Sequence, residues 1–238
     1  AVYLAKAGYN VKIIERRADM RKESISAGKS INLATSYRGW KALDTIGIGD
    51  DIRKIAIPMY GRTIHNEEGE TSFHAYGINN QAIYSVSRGE INCKLMDIAE
   101  RTGKTKFFFN EQCVNVDLEN NIAFFENTIT KEKTEIKSDV IFATDGAFSA
   151  VRYNAMQKLD KFNYSQNYIE DGYREILLPA NDDGTYKLER DTLHIWPRGR
   201  FMLIALPNFD GSFTCTLFMP FEGHKHCFNN LNSKEKVE

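Results

Sequence analysis

AVYLAKAGYNVKIIERR, residues Ala1–Arg17, decides how the chain is read. Ala1, Val2, Leu4, Ala5 and Ala7 make a small-residue helix suited to lying close against a sheet, and Gly8 stands where a helix end wants a left-handed residue. Val11, Ile13 and Ile14 follow as a short strand of the kind found in parallel sheets, and Glu15 closes it. Helix, glycine stop, apolar strand and terminal acid make up the second half of a nucleotide-binding βαβ unit. In such a unit the acid, about 20 residues beyond a glycine fingerprint, accepts hydrogen bonds from ribose hydroxyls. An ordinary strand-end Glu is the alternative. The same spacing puts the glycine loop a few residues ahead of Ala1, outside residues 1–238.

Composition limits the partners. The 238 residues, 42% of them apolar, suffice for one large domain or two interleaved smaller ones. Lys plus Arg number 31 and Asp plus Glu 32, and a net charge of −1 argues against a nucleic-acid partner. The longest strongly apolar run, Phe201–Pro207, falls well short of the roughly 18 residues a membrane span requires. Cys93, Cys113, Cys215 and Cys227 show no CxxC spacing; they fit a reducing compartment and make neither a zinc ribbon nor a dithiol motif. His224 and His226 beside Cys227 lie in a polar stretch that reads as solvated loop, so no metal site is expected. Asn163-Tyr164-Ser165 has the form of a glycosylation sequon, a match common by chance and without secretory features beside it.

Along the chain, Ala18–Lys29 is polar and irregular, and SINLATSYRGWKALDTIG passes from an extended segment into an amphipathic helix from about Tyr37, with Trp40, Leu43 and Ile46 as its stripe. IPMYGRTIHNEEGETSFHAYG predicts a β-hairpin, Met59–His65 and Thr71–Tyr76 around a Glu68-Gly69-Glu70 turn. A helix is expected from about Gly89 to Arg101 after Ser87. Strands are expected over Lys106–Val116 and Ile122–Ile129, with Thr134–Lys137 as the return. DVIFATDGAFSAVR predicts a buried strand, Val140–Thr144, then an Asp-Gly turn and a helix from near Ser149. GYREILLP, TLHIWP, RFMLIALP and SFTCTLFMP read as an antiparallel meander able to offer one face to a ligand.

Four groups of residues carry possible chemistry. Glu15 is the ribose candidate. Asp145-Gly146 is a common turn pair, but here it ends a strand and opens a helix, where ligands of α/β sheets collect and anions are favoured. Arg62 and Tyr76 sit on the two hairpin strands and combine a bidentate guanidinium with a phenol donor, a natural carboxylate clamp, although from the hairpin alone a surface Arg and a packed Tyr are the favoured reading. Arg88, near a helix start, suits a phosphate or a neighbouring acid. Met202, Ile204, Phe213 and Leu217 alternate on the late strands, consistent with an aromatic-sized pocket or with core packing.

ERR (Glu15–Arg17), GKSINLA (Gly28–Ala34), PMYGR (Pro58–Arg62), AYG (Ala75–Gly77), SVSR (Ser85–Arg88), DGAFSAVR (Asp145–Arg152), LHIWPR (Leu193–Arg198), FMLIALPN (Phe201–Asn208) and SFTCTLFMPF (Ser212–Phe221) are informative in their order and spacing. In them the sequence resembles, over nearly its whole length, the flavin-dependent kynurenine 3-monooxygenases, a branch of the aromatic hydroxylases. The resemblance implies an α/β fold with a Rossmann-like FAD-binding domain, its first strand and glycine loop outside these residues, and an antiparallel β-sheet substrate domain. It implies FAD-binding parts at residues 1–57 and 78–152, a substrate-site hairpin at 58–77, a substrate sheet at 153–222 and a loop at 223–238.

On that resemblance Glu15, Arg16 and Arg17 border the adenosine half of FAD, Ala34 lies along the cofactor, and Arg88 approaches its phosphates. Cys113 and Val114 pass near the adenine, Asp145 and Gly146 form the Asp-Gly motif that touches FAD and NADPH, and Ala150 follows on its helix. Arg62 and Tyr76 hold the amino-acid carboxylate of L-kynurenine. The implied reaction uses NADPH and O2 and transfers oxygen from a flavin C4a-hydroperoxide to the carbon ortho to the aniline nitrogen. That nitrogen activates the ring, so no catalytic side chain is expected and the protein orients substrate and excludes water. In eukaryotes the family belongs to the mitochondrial outer membrane, through a segment outside these residues.

Ala143-Thr144, Thr35, Tyr37 and Tyr60 depart from the family pattern. The first strand and glycine loop, a later Gly-Asp flavin motif, a further substrate-contacting segment and the membrane-associating end are not among residues 1–238, so this stretch alone is expected to fold poorly and not to retain FAD. A non-catalytic paralogue and a hydroxylase of another aromatic acid are the rival readings.

Overall fold

The computed structural model describes residues 1–22 and 31–233. In chain order the first elements are α1 (Val2–Lys6), β1 (Val11–Glu15), β2 (Asn32–Thr35), α2 (Tyr37–Thr45), α3 (Gly49–Arg53), β3 (Ile57–Met59), β4 (Gly61–His65), β5 (Thr71–Ala75), β6 (Ile83–Ser87) and α4 (Arg88–Arg101). There follow β7 (Thr105–Phe109), β8 (Glu111–Asp117), β9 (Ile122–Asn127), β10 (Lys133–Lys137), α5 (Ala150–Asn154), β11 (Asp171–Leu178), β12 (Leu193–Arg198), β13 (Phe201–Pro207) and β14 (Phe213–Pro220). The chain divides into two units, Ala1–Ser24 with Met96–Asn167, and Ile25–Leu95 with Tyr168–Glu238.

In the first unit the opening stretch folds as its sequence dictates. α1 buries Val2 and Ala5, and Gly8 follows it at φ +95°, a left-handed conformation that glycine adopts without a Cβ clash. β1 then pairs in parallel with β7, from Val11 opposite Thr105 to Glu15 opposite Phe109. β8, β9 and β10 form an antiparallel meander in which Val116, Ala123 and Phe125 pack with Val151 of α5 and with Ala155 just after it. Arg21 fastens the stretch beyond β1 to Asp19, Asp97 and Glu100, its guanidinium lying over Phe107 and Phe109.

The strand expected over Val140–Thr144 does not form. A strand needs a ladder partner for its N–H and C=O groups, and no described strand pairs with these residues. Val140 and Phe142 are 64% and 67% exposed, and the segment borders an open cleft of about 410 Å³ lined also by Val116, Leu118 and Met156. The expected reading of Ala18–Lys29 as irregular is met by a 3₁₀ turn at Met20–Lys22; residues 23–29 lie outside the described residues.

The second unit holds two sheets. β2, β6 and β3 form a three-stranded antiparallel sheet, and β11, β14, β13, β12, β4 and β5 lie side by side in that order as a six-stranded one. The late strands are therefore a meander only over β12–β14: β11 crosses to pair with β14, and β12 pairs in parallel with β4. The hairpin also begins later than its sequence suggests. Met59 belongs to β3 of the smaller sheet, and the chain changes sheet at Tyr60. Gly61 sits where a Cβ would lie 2.5 Å from the His74 carbonyl oxygen, so no larger residue fits there. α2 buries Trp40 against the edge of Tyr84 and beneath Arg53, whose guanidinium also binds Asp44.

Candidate functional site

In the first unit, Glu15 ends β1 with its carboxylate accepting from Arg17 N at 2.9 Å and Arg17 Nε at 3.0 Å. Partial burial raises the Glu15 pKa, and the Arg17 bonds with the charges of Arg17 and Arg16 outweigh it, so the group stays ionised as an acceptor. Cys113 and Val114 lie at a β-bulge in β8, where pairing with β9 skips from Cys113 to Asn115 and leaves Val114 as the extra residue. Such a residue is left out of the ladder, and the strand bends there. Asn154 Nδ2 of α5 holds it by donating to Val114 O at 2.8 Å. Burial raises the Cys113 thiol pKa and the nearby Asp145 charge adds to it, so the bulge and the Asp-Gly turn are electrostatic neighbours.

The Asp145-Gly146 turn leads into α5 as expected. Ser149 caps the helix by accepting from Arg152 N at 3.0 Å, and Asp145 Oδ2 accepts from Val151 N at 3.2 Å. Burial pulls the Asp145 pKa upward, but the Ser149 hydroxyl and the Val151 N–H prevail and lower it. Gly146 adopts φ +81° with open space around its Cβ position, and Ala150 begins the helix. Arg152 donates back to Ala147 O and to Gly146 O and is flanked by the rings of Tyr153 and Tyr164 at 5.0 and 4.5 Å. Sequence reasoning passed over Arg152 and Asn154; the signal lay in the three-residue step from Ser149 to Arg152 and in α5 facing the bulge.

These groups fit the adenosine half of FAD in donor chemistry: an ionised strand-end acid for ribose hydroxyls, an exposed cation at Arg16, a bulged backbone and an open glycine turn at a helix start. Ala34 and Arg88 belong to the other unit. Ala34 is exposed on β2 opposite Ser85, and Arg88, also exposed, opens α4 directly after β6.

In the six-stranded sheet the pairings fix which side chains share a face. Arg62 stands opposite His74 and Leu193, Ile64 opposite Ile195, Ile195 opposite Ile204, and Pro197 opposite Met202. Tyr76, two residues on from His74, bonds its N–H to Tyr60 O at 2.9 Å and keeps the same parity. Arg62, Tyr76, Met202 and Ile204 therefore occupy one face, with the Arg62 guanidinium and the Tyr76 phenol at the β4–β5 end and an apolar floor beyond. Burial raises the Tyr76 phenol pKa while the Arg62 charge works against it, which places the two within electrostatic reach. Ile64 and Ile195 belong to this floor and were missed; the alternation in LHIWPR carried that signal.

Phe213 does not join that face. It pairs with Pro207 across the β13–β14 turn, which gives it the parity of Ala205 and sends it to the opposite side. There it is fully buried with Ala205, Cys215, Tyr186 and Trp196, and Leu217 shares its side. On the same side His65 Nε2 lies 2.9 Å from His194 Nδ1, and His65 stacks on Trp196 at 4.1 Å. Among the described residues no cluster of three or more metal-ligating side chains occurs.

Comparison with known proteins gives the family and the fold. The FAD binding domain family matches residues 1–180. Kynurenine 3-monooxygenase of Flavobacterium psychrophilum is 49% identical over 238 residues, all of this chain and 52% of that protein. The Dictyostelium discoideum protein of the same name is 44% identical over 241 residues, all of this chain and 50% of that protein. The chain thus spans about half the length of the curated relatives it matches. Among solved structures, p-nitrophenol 4-monooxygenase from Pseudomonas putida superposes with a TM-score of 0.74 at 16% identity, covering 94% of this chain and 55% of that one. 2-Methyl-3-hydroxypyridine-5-carboxylic acid oxygenase gives 0.71 at 17% identity, covering 92% and 54%. The mixed α/β fold is that of the FAD-dependent hydroxylases, and the chain belongs to the FAD binding domain family.

Proposed function

We propose that this chain serves the NADPH- and FAD-dependent hydroxylation of L-kynurenine by O2 at the carbon ortho to its aniline nitrogen. The observation that carries the reading is the shared face of Arg62, Tyr76, Met202 and Ile204: a charged clamp at one end and an apolar floor at the other match an amino acid that ends in an aromatic ring. Kynurenine 3-monooxygenases at 43–49% identity support the same substrate. The Arg62 guanidinium donates paired bonds to the carboxylate, and Tyr76 adds a phenolic donor. Met202, Ile204 and Ile195 orient the ring and keep water from it. Glu15 accepts from the ribose hydroxyls of FAD, and the Val114 bulge and Asp145-Gly146 turn meet the rest of its adenosine half. When bound, FAD supplies electron transfer from NADPH and the activation of O2. The chain itself need supply no general base, because the substrate's own amino group activates the carbon that receives oxygen.

In eukaryotic members this reading carries a site at the mitochondrial outer membrane; among the described residues no helix is long and apolar enough to cross a membrane. The test is NADPH oxidation by the full-length protein. L-kynurenine should stimulate it and hydroxybenzoates should not; the reverse preference would assign the face to another aromatic acid.

A further inference from the structure

Asn32, Ser85 and Asn208 meet in a polar knot inside the second unit. Asn32 Nδ2 donates to Asn208 Oδ1 at 2.7 Å and to Ser85 Oγ at 3.0 Å, with Pro207 O a longer acceptor at 3.3 Å. Ser85, 2% exposed, donates its hydroxyl to Pro207 O at 2.9 Å. Asn208 Nδ2 donates onward to Ser212 Oγ at 2.9 Å and Thr214 Oγ1 at 3.1 Å, and Asn208 O accepts from Tyr186 OH at 2.7 Å. The directions are forced. A carbonyl oxygen only accepts, so Ser85 donates to Pro207 and is left to accept from Asn32, whose second hydrogen meets Asn208 Oδ1. Reversing any member orphans a neighbour in a site where Ser85, Ser212 and Thr214 are all buried.

The knot joins the two sheets of the unit. Asn32 and Ser85 lie on β2 and β6, the strands that carry Ala34 and lead into Arg88; Asn208 lies in the turn between β13, which carries Met202 and Ile204, and β14. The backbone step at Tyr60 ties the same two sheets at another place. We propose that Asn32 and Asn208 are positioning residues, and that their knot sets the spacing between the strand running along the flavin and the sheet face holding the aromatic substrate.

This inference rests on the hydroxylase reading. Oxygen transfer needs reacting atoms within about 3–3.5 Å, and a displacement of about 1 Å costs on the order of 10²-fold. When transfer is productive, NADPH, a proton, O2 and substrate give NADP⁺, water and hydroxylated product. When it misses, NADPH, a proton and O2 give NADP⁺ and hydrogen peroxide.

Asn32→Asp in the full-length protein keeps the side chain's size and removes both donors; Ser85→Ala is the second variant should the first not fold. Amide hydrogen exchange in β2 and in the β13–β14 turn should quicken about tenfold, the scale of one lost buried hydrogen-bonding group, while β4 and β5 keep their rates. Hydrogen peroxide formed per NADPH should rise about tenfold at unchanged FAD content. Unchanged exchange and unchanged coupling overturn the proposal, as does a uniform rise in exchange with coupling intact, which is a purely structural role. A wild-type protein that does not hydroxylate L-kynurenine overturns the substrate reading and the coupling claim with it, whereas the exchange pattern judges the knot on its own.

Discussion

Arg62 and Tyr76 lie on one face of the β4–β5 hairpin, Arg62 opposite His74 and Tyr76 opposite Tyr60, and among the described residues no carboxylate forms an ion pair with the Arg62 guanidinium. Arg62→Ala is expected to raise the KM for L-kynurenine about 10- to 100-fold, the scale of charge-assisted hydrogen bonds, with FAD content unchanged. Tyr76→Phe should cost only about two- to tenfold, one neutral donor's worth. Steady-state kinetics on the full-length variants decide this, and wild-type affinity in Arg62→Ala removes Arg62 from the site.

Asn154 binds the Val114 carbonyl from α5, tying the bulge to the helix that follows Asp145-Gly146. Asn154→Ala should loosen the bulge and weaken FAD about five- to tenfold, as expected for one hydrogen bond lost, with little effect on the KM for substrate. Flavin titration followed by fluorescence measures it.

The His65–His194 pair predicts an acid-sensitive fold. His194 Nε2 donates to Glu189 O at 2.8 Å, so in a neutral ring its Nδ1 accepts and His65 Nε2–H donates. Burial lowers the pKa of both rings, helped at His65 by the charges of His194 and Arg198 and opposed at His194 by Glu189. A depressed histidine favours the neutral form in the fold. Below pH 6.5 the unfolded chain binds protons that the folded chain refuses, so stability is full above that value and falls as the pH drops through it. Between about pH 7.5 and 5.5, Tm should fall less in His65→Gln, which still offers N–H to His194, than in the wild type.

Arg21 meets Asp19 at 2.8 Å and Asp97 at 3.1 Å, contacts Glu100, and lies over two phenylalanine rings with only 19% of its side chain exposed. The bonds it donates to Asp19 and Glu100 raise its pKa. Arg21→Ala should destabilise the first unit by about 1–3 kcal/mol, chiefly because the buried Asp19 loses its partner, whereas the half-exposed Asp97 and Glu100 regain water. Arg21→Lys should recover only part of this, lacking the planar fork. Urea unfolding followed by far-UV circular dichroism checks both.

Local chemistry made much of this legible. Gly8 after α1, Glu15 at the end of β1, the Trp40 stripe of α2 and the Ser149 cap of α5 follow from neighbours within one or two turns. What escaped depends on partners far along the chain. Val140–Thr144 has the composition of a strand, but composition does not supply a ladder. Phe213 alternates correctly with Leu217, yet the parity of both against Met202 is set by how the turn pairs Pro207 with Phe213. The crossing of β11 to β14, the His65–His194 pair 129 residues apart and the Asn32–Asn208 pair 176 apart leave no mark in any short window. Arg62, Tyr76, Met202 and Ile204 were each found in the sequence; only the register shows that they share a face.

The most direct measurement is the fate of oxygen. Full-length protein loaded with FAD is given NADPH, L-kynurenine and ¹⁸O2, and the product is weighed by mass spectrometry. The account predicts 3-hydroxykynurenine carrying one ¹⁸O atom on the ring carbon beside the amino group. Unlabelled product, or NADPH oxidation that yields hydrogen peroxide and leaves L-kynurenine intact, would contradict it.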